Sequence, residues 1–201
     1  MPNWVHNEVY LKGPQKDYIF KNILNEGKVD FNDIIPMPSD IFTGPLGLDE
    51  EKEYGEKNWY DWSRQYWGTK WNAQSTGSLD SECGVRFDTA WSMPKPIYQE
   101  LSRRFPDMSF CVLFADEDFG SNCGIVEYKN GTGQDVSFSN ELGISDELCD
   151  YFLATYLWEA SVDDVTEYHE FEGMEIEEVK CKFNEYCEML KKYLCSTKEE
   201  E

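Results

Sequence analysis

The sequence predicts an α+β fold: a mostly antiparallel sheet with helices on one face, an aromatic helical insertion and a C-terminal helical extension. Three observations carry this. Over residues 1 to about 140, strand-like and helix-like stretches follow the order βαβ, insertion, strands, helix, strand, hairpin. The stretch 59–71, WYDWSRQYWGTKW, holds four tryptophans and two tyrosines in thirteen positions and interrupts that order. Beyond about residue 140 the apolar spacing changes to three and four, the period of a helix.

The elements follow in order. Residues 3–12 alternate as a strand with Trp4, Val5, Val9 and Leu11 as its apolar members, and Gly13-Pro14 breaks it. Pro14 suits the first turn of a helix through Leu24, with Tyr18, Ile19, Phe20 and Ile23 on its apolar side and Gly27 at its end. A short strand is expected from Val29 to Ile35. PMPSDIFTGPLG then holds three prolines and two glycines in twelve residues and reads as irregular chain. It opens an insertion of about residues 37–68.

Within the insertion, a helix from Lys57 to Tyr66 places Trp59, Trp62 and Tyr66 on one face, and Gly68 stops it. Strands are expected over Thr69 to Ser75 and Gly84 to Trp91. In the latter, Val85, Phe87, Thr89 and Trp91 share one side, and Arg86, Asp88 and Ala90 take the other. Ser92 suits an N-cap, with Pro94 and Pro96 in the first turn of a helix ending near Phe105. Met108 to Ala115 is almost continuously apolar, which predicts a buried central strand. Strands Cys123 to Lys129 and Gln134 to Ser139 flank Asn130 to Gly133, a hairpin turn.

Ser145 caps a helix reaching about Ala160. Ile176, Val179, Phe183, Tyr186, Leu190 and Tyr193 form the apolar stripe of a last helix, with Glu178–Lys182 and Glu188–Lys192 as supporting pairs. Residues 1–140 therefore read as one domain, an enlarged ferredoxin-like βαββαβ core, and residues 141–201 as an acidic helical extension packed on it.

The 201 residues carry a net charge of −22, from 40 acidic and 18 basic side chains. Residues 141–201 hold 18 of the acids and 5 of the bases. Such a field repels phosphate backbones, so direct nucleic-acid binding is disfavoured. It suits a basic partner, such as a protein surface that normally holds nucleic acid. The plain alternative is that the charge only keeps the chain soluble. The first residues, MPNWVHNEVYLKG, lack a basic segment and an apolar run, so no secretory leader is expected. No run of eighteen apolar residues occurs, so no membrane span is expected. The seven cysteines are odd in number and form no Cys-x-x-Cys pair, which points to reduced thiols in a cytoplasm.

Several strings stand together in a specific order: MPNW with Asn7, FNDIIPMP from Phe31, WYDW from Trp59, WGTKW from Trp67, FDTAWS from Phe87 and LSRRFP from Leu101. Over roughly residues 1–130 the chain resembles the YubB ferredoxin-like domain family, proteins carried largely by phages and plasmids. Members usually have Cys where Val5 stands and often Pro where Met93 stands. The resemblance implies a ferredoxin-like fold and a mobile-element setting. It implies no reaction and no catalytic residue.

Four groups of residues could carry function. Trp59, Trp62, Trp67, Trp71 and Trp91, with Lys70 and Arg86, could stack a base or nucleotide; the same rings could instead pin the insertion to the sheet. Asp116, Glu117 and Asp118 could hold magnesium for a phosphodiesterase, but no lysine- and glycine-rich phosphate cradle accompanies them. His6 could work with Cys83, Cys111 or Cys123, while His169 lies in HEFEG without a second zinc-binding histidine. Finally, Glu159, Asp163, Asp164, Glu167, Glu170, Glu172, Glu175, Glu177 and Glu178 place nine acids in twenty residues without a base. Such a surface can imitate a phosphate path and occupy a basic cleft; a solvated face is the alternative. The leading expectation is a non-enzymatic, anti-defence binding protein, without cofactor or resident metal, that engages a basic host protein through this surface. A nucleotide- or small-ligand-binding module is the second expectation, and a metal-dependent phosphodiesterase the third.

Overall fold

The computed structural model describes residues 2–79, 84–163 and 174–195. Six strands form one sheet: β1 (Trp4–Lys12), β2 (Gln74–Ser78), β3 (Gly84–Ala90), β4 (Ser109–Asp116), β5 (Gly124–Lys129) and β6 (Thr132–Val136). Their order is β2-β3-β1-β4-β5-β6, and every neighbouring pair is antiparallel. The first four strands and the two crossovers between them make the βαββαβ unit, and β5 and β6 extend its edge. The first crossover holds α1 (Lys16–Asn22), α2 (Phe31–Ile34), α3 (Leu48–Tyr54) and α4 (Trp59–Tyr66); the second is α5 (Lys95–Arg104). After the sheet come α6 (Ser139–Leu142), α7 (Asp146–Leu157) and α8 (Ile176–Cys195).

Strand parity divides the interior in two. Val5, Val9 and Leu11 of β1, Val85 and Phe87 of β3, and Phe110 and Val112 of β4 face Ile19, Phe31, Ile97 and Leu101 of the crossover helices. On the other face, Cys111, Leu113, Ala115 and Ile125 meet Leu148, Phe152, Tyr186 and Leu190 of α7 and α8. β4 is therefore covered on both sides, which is why its sequence is almost continuously apolar. Helices lie on both faces, because α7 and α8 cover the face that the crossovers leave open.

Local chemistry moves several boundaries. Val29 to Ile35 is not a strand: Asp30 Oδ1 accepts the Asn32 amide at 2.8 Å and starts α2, whose Phe31 and Ile34 both enter the core. Residues 69–73 are bent, irregular chain, and β2 begins only at Gln74, where it first meets β3. Thr69 instead bonds the end of β3, donating to the Ala90 carbonyl at 2.9 Å and accepting the Ala90 amide at 3.1 Å. β6 begins at Thr132, so the hairpin turn is the pair Asn130 and Gly131, with φ of 51° and 78°. Positive φ at both positions matches the right-handed twist of a tight hairpin. Ser92 does not cap α5; its hydroxyl donates to the Gly68 carbonyl at 2.6 Å. Ser145 does cap α7, accepting the Leu148 amide at 3.1 Å. That helix stops at Leu157 rather than near Ala160.

Candidate functional site

Asn58 sets the aromatic segment in place. Its Oδ1 accepts the Tyr60 and Asp61 amides at 2.9 and 3.0 Å and so starts α4, while its Nδ2 donates to Asp61 Oδ2 at 2.7 Å. Trp62 and Trp67 then turn inward and meet edge to face at 5.3 Å. Both are buried, at 6% and 4% exposure, and Trp67 Nε1 donates to the Ile35 carbonyl at 2.8 Å. Trp59 Nε1 donates to the Gly44 carbonyl at 3.1 Å and ties down the irregular loop. Trp62 and Trp67 thus join the insertion to the core under the sheet, while Trp59 holds the insertion's own loop.

The remaining members behave differently. Lys70 Nζ lies 4.5 Å from the Trp71 ring centre, 4.8 Å from that of Trp91 and 5.7 Å from that of Tyr60. Trp71 leans on Trp4 at 5.9 Å. Trp91 is 43% exposed and has φ of +71°, an unusual backbone state for a bulky side chain. Its amide donates to the Asn3 carbonyl at 2.9 Å, and its own carbonyl accepts Asn122 Nδ2 at 3.1 Å. Beside it opens a cleft of about 770 Å³, lined among others by Glu56, Asp61, Arg64, Lys70 and Trp91. The expected box is thus split into a buried half and a cleft-side half. Arg86 joins neither, since β3 parity sends it to the opposite face beside Glu8.

Asp116 is buried and structural. Its carboxylate accepts Asn3 Nδ2 at 3.3 Å, the Asp118 amide at 3.0 Å and Asn122 Nδ2 at 3.2 Å. Glu117 and Asp118 are exposed, and the Glu117 amide bonds the Trp4 carbonyl. Among the described residues, no group of three or more His, Cys, Asp or Glu could hold a metal ion.

His6 pairs with Asp88, not with a cysteine: Nδ1 and Oδ1 are 2.8 Å apart. Burial pushes the Cys111 and Cys123 thiols up to about 12, so neither is a ready nucleophile. Cys83 and His169 lie outside the described residues. Residue-by-residue reading missed the cluster around His6. Glu8 is two positions along the same strand face, its carboxyl pushed up by burial even though Tyr10 Oη donates to it at 2.8 Å. The signal was available in the parity of two neighbouring strands, which aligns His6 with Asp88 and Glu8 with Arg86.

Of the acidic segment, Glu159 is exposed at φ of +50°, and Asp163 lies 2.7 Å from Lys180 Nζ. Glu175, Glu177 and Glu178 are exposed around the start of α8, with Glu177 at 3.6 Å from Lys180. Asp164, Glu167, Glu170 and Glu172 lie outside the described residues.

Among the described residues, no helix is long and apolar enough to cross a membrane. No curated protein and no solved structure matches the chain. A family model does match, from Tyr66 in the last turn of α4 to Val179 in α8, and so takes in five of the six strands and α5 to α7. That model describes the ferredoxin-like domain in Api92-like protein; it covers residues 66–179, more than half of the chain, and the chain belongs to that family.

Proposed function

We propose that this is a non-enzymatic binding protein of a phage or other mobile element, and that its acidic exterior captures a basic host protein that handles nucleic acid. The observation that carries the reading is the charge: −22 in total, with 18 acids against 5 bases in residues 141–201. The described part of that segment supports it. Glu177, Glu178, Glu185 and Glu188 are exposed along α8, while Val179, Tyr186 and Leu190 hold the opposite side in the core. Asp49, Glu51 and Glu53 of α3 add exposed carboxylates elsewhere. A summed field of this sign steers a basic partner and repels phosphate backbones, even where each rim pair is weak. The Asp163–Lys180 pair removes one carboxylate from the count.

The mobile-element setting rests on the resemblance to the YubB domain over roughly residues 1–130, which overlaps the matched family domain at 66–130. The non-catalytic part rests on the two protonated thiols and on Asp116, whose oxygens are already engaged by three donors within the fold.

The test is affinity capture from the native host with the full chain, read by mass spectrometry. The comparison is a variant reversed to lysine at Asp164, Glu167, Glu170 and Glu172. The reading expects a basic nucleic-acid-binding protein held by the natural chain, lost from the variant, and released as salt shortens the screening length from roughly 10 Å to 3 Å. Capture that survives both charge reversal and salt would refute it.

A further inference from the structure

We propose that the cleft between α4 and the end of β3 binds a small planar anion, a flat aromatic ring carrying one phosphate or carboxylate group. Trp91 would stack on the ring, and Lys70 and Arg64 would take its charge. The proposal is separate from the acidic exterior and stands or falls without it.

The cleft volume, about 770 Å³, lies within the roughly 300–1,000 Å³ of small-molecule sites. Trp91 is the exposed tryptophan of the segment's surroundings, where Trp62 and Trp67 are nearly covered. It stands there at a backbone cost, with φ of +71° held by its amide's bond to Asn3 and by Asn122's bond to its carbonyl. Backbone strain held by its surroundings is concentrated at binding and active sites. An open indole face at the rim offers a ring a stacking surface that is tolerant of ring type.

The cations beside it complete the site. Lys70 rests on the rings of Trp71 and Trp91, and the Arg64 guanidinium lies 5.2 Å from the Tyr60 ring centre. In a chain with 40 acids and 18 bases, carboxylate partners are abundant. Yet among the described residues no carboxylate lies within 4.0 Å of either group. Lys70 therefore lies against aromatic rings, and Arg64 lies against the ring and hydroxyl of Tyr60, to which its Nη1 donates at 3.4 Å.

An anion fits better than a cation. A quaternary ammonium on the open Trp91 face would meet the like charges of Lys70 and Arg64. A planar anion there is attracted by both. Glu56 and Asp61 line the same cleft and limit how much negative charge it accepts. With the −22 background, this favours a single phosphate or carboxylate over a polyphosphate.

The experiment is a titration of the full chain followed by tryptophan fluorescence and calorimetry. The probes are adenosine 5′-monophosphate, 2-naphthoate, adenosine, ribose 5-phosphate, adenosine 5′-triphosphate and tetramethylammonium. The first two distinguish a phosphate-bearing from a carboxylate-bearing ligand. At least one of them should saturate below about 1 mM, with affinity roughly tenfold above adenosine, ribose 5-phosphate and the triphosphate. Trp91→Gly and Lys70→Met should each weaken it by roughly tenfold with the circular dichroism spectrum unchanged. Glu56→Gln should tighten it. Three results would overturn the proposal: no saturation by either planar anion, binding indifferent to both variants, or saturable binding of tetramethylammonium in their place.

Discussion

Tyr98 and Asn7 meet at the centre of the first core, where the Tyr98 hydroxyl donates to Asn7 Oδ1 at 3.0 Å. Both residues are almost wholly buried. Asn7 Nδ2 in turn donates to the Val5 carbonyl at 2.8 Å and to Thr89 Oγ1 at 3.0 Å. One side-chain amide thus links β1, β3 and α5 in a region otherwise filled by Val, Phe and Ile. A buried polar group is tolerated only when its partners are present.

Tyr98→Phe should leave Asn7 Oδ1 without its donor in that region, at a cost of roughly 1–3 kcal/mol. Urea unfolding at neutral pH checks this: the midpoint should fall while the slope stays unchanged. An unaltered midpoint would mean that the bond contributes nothing net.

Tyr186 presents the opposite case. Its ring is packed between Phe138 and Phe152, and among the described residues its buried hydroxyl has no hydrogen-bond partner. Tyr186→Phe removes that desolvated oxygen and keeps the ring. Stability should rise by about 1 kcal/mol, a shift of roughly 2–4 °C in Tm for a chain of this size. A clear loss of stability would show that the hydroxyl is satisfied in solution.

Two carboxylates give stability opposite dependences on pH. At Glu127, burial opposes ionisation. Donation from Ser109 and Tyr193, with Lys12 and Lys129 nearby, outweighs it and holds the carboxyl below its usual range. A depressed folded pKa contributes stability above the unfolded value, roughly 4.3, and that contribution disappears as pH falls through the folded value. Glu8 is raised, chiefly by burial. Its contribution is present below the unfolded pKa and is lost as pH rises through the folded one. Glu127→Gln should therefore flatten the acid limb of the stability curve, whereas Glu8→Gln should raise stability at neutral pH. Chemical denaturation across pH 3 to 8 separates them; the same effect from both substitutions would contradict the assignment.

The sheet was legible because its code is parity. Val85 and Phe87 on one side and Arg86 and Asp88 on the other can be read directly along β3, and they face opposite layers in the structure. The same parity should have kept Arg86 out of an aromatic box built on the other side. What escaped was chemistry set by a single side chain. Asp30 converts an apolar stretch into the short helix α2, and Thr69 holds its own bend against Ala90 before β2 begins. α3 and α6 were also missed: seven and four residues give too little periodicity to stand out from loop. The rings of WYDWSRQYWGTKW were legible as mortar. Their division was not, because it depends on where each side chain meets the second element, information that helical spacing alone does not contain.

That division yields a paired test at Gly68 and Trp91, both in the left-handed backbone region, with φ of +79° and +71°. At Gly68 the state is native to the residue, and a Cβ there would stand 2.6 Å from Pro96 Cδ. Gly68→Ala should therefore destabilise the protein by roughly 1–3 kcal/mol, through backbone strain and overpacking together. At Trp91 the argument reverses. Glycine would relieve a backbone cost of roughly 1–2 kcal/mol while forfeiting a cation–π contact with Lys70 of about 0.5–1 kcal/mol and part of the packing of a half-exposed ring. These contributions nearly cancel, so Trp91→Gly should unfold within about 1 kcal/mol of the natural chain. A Trp91→Gly loss as large as that of Gly68→Ala would make Trp91 a structural keystone. It would also remove the reason for reading its exposed indole as a surface held open for a ligand.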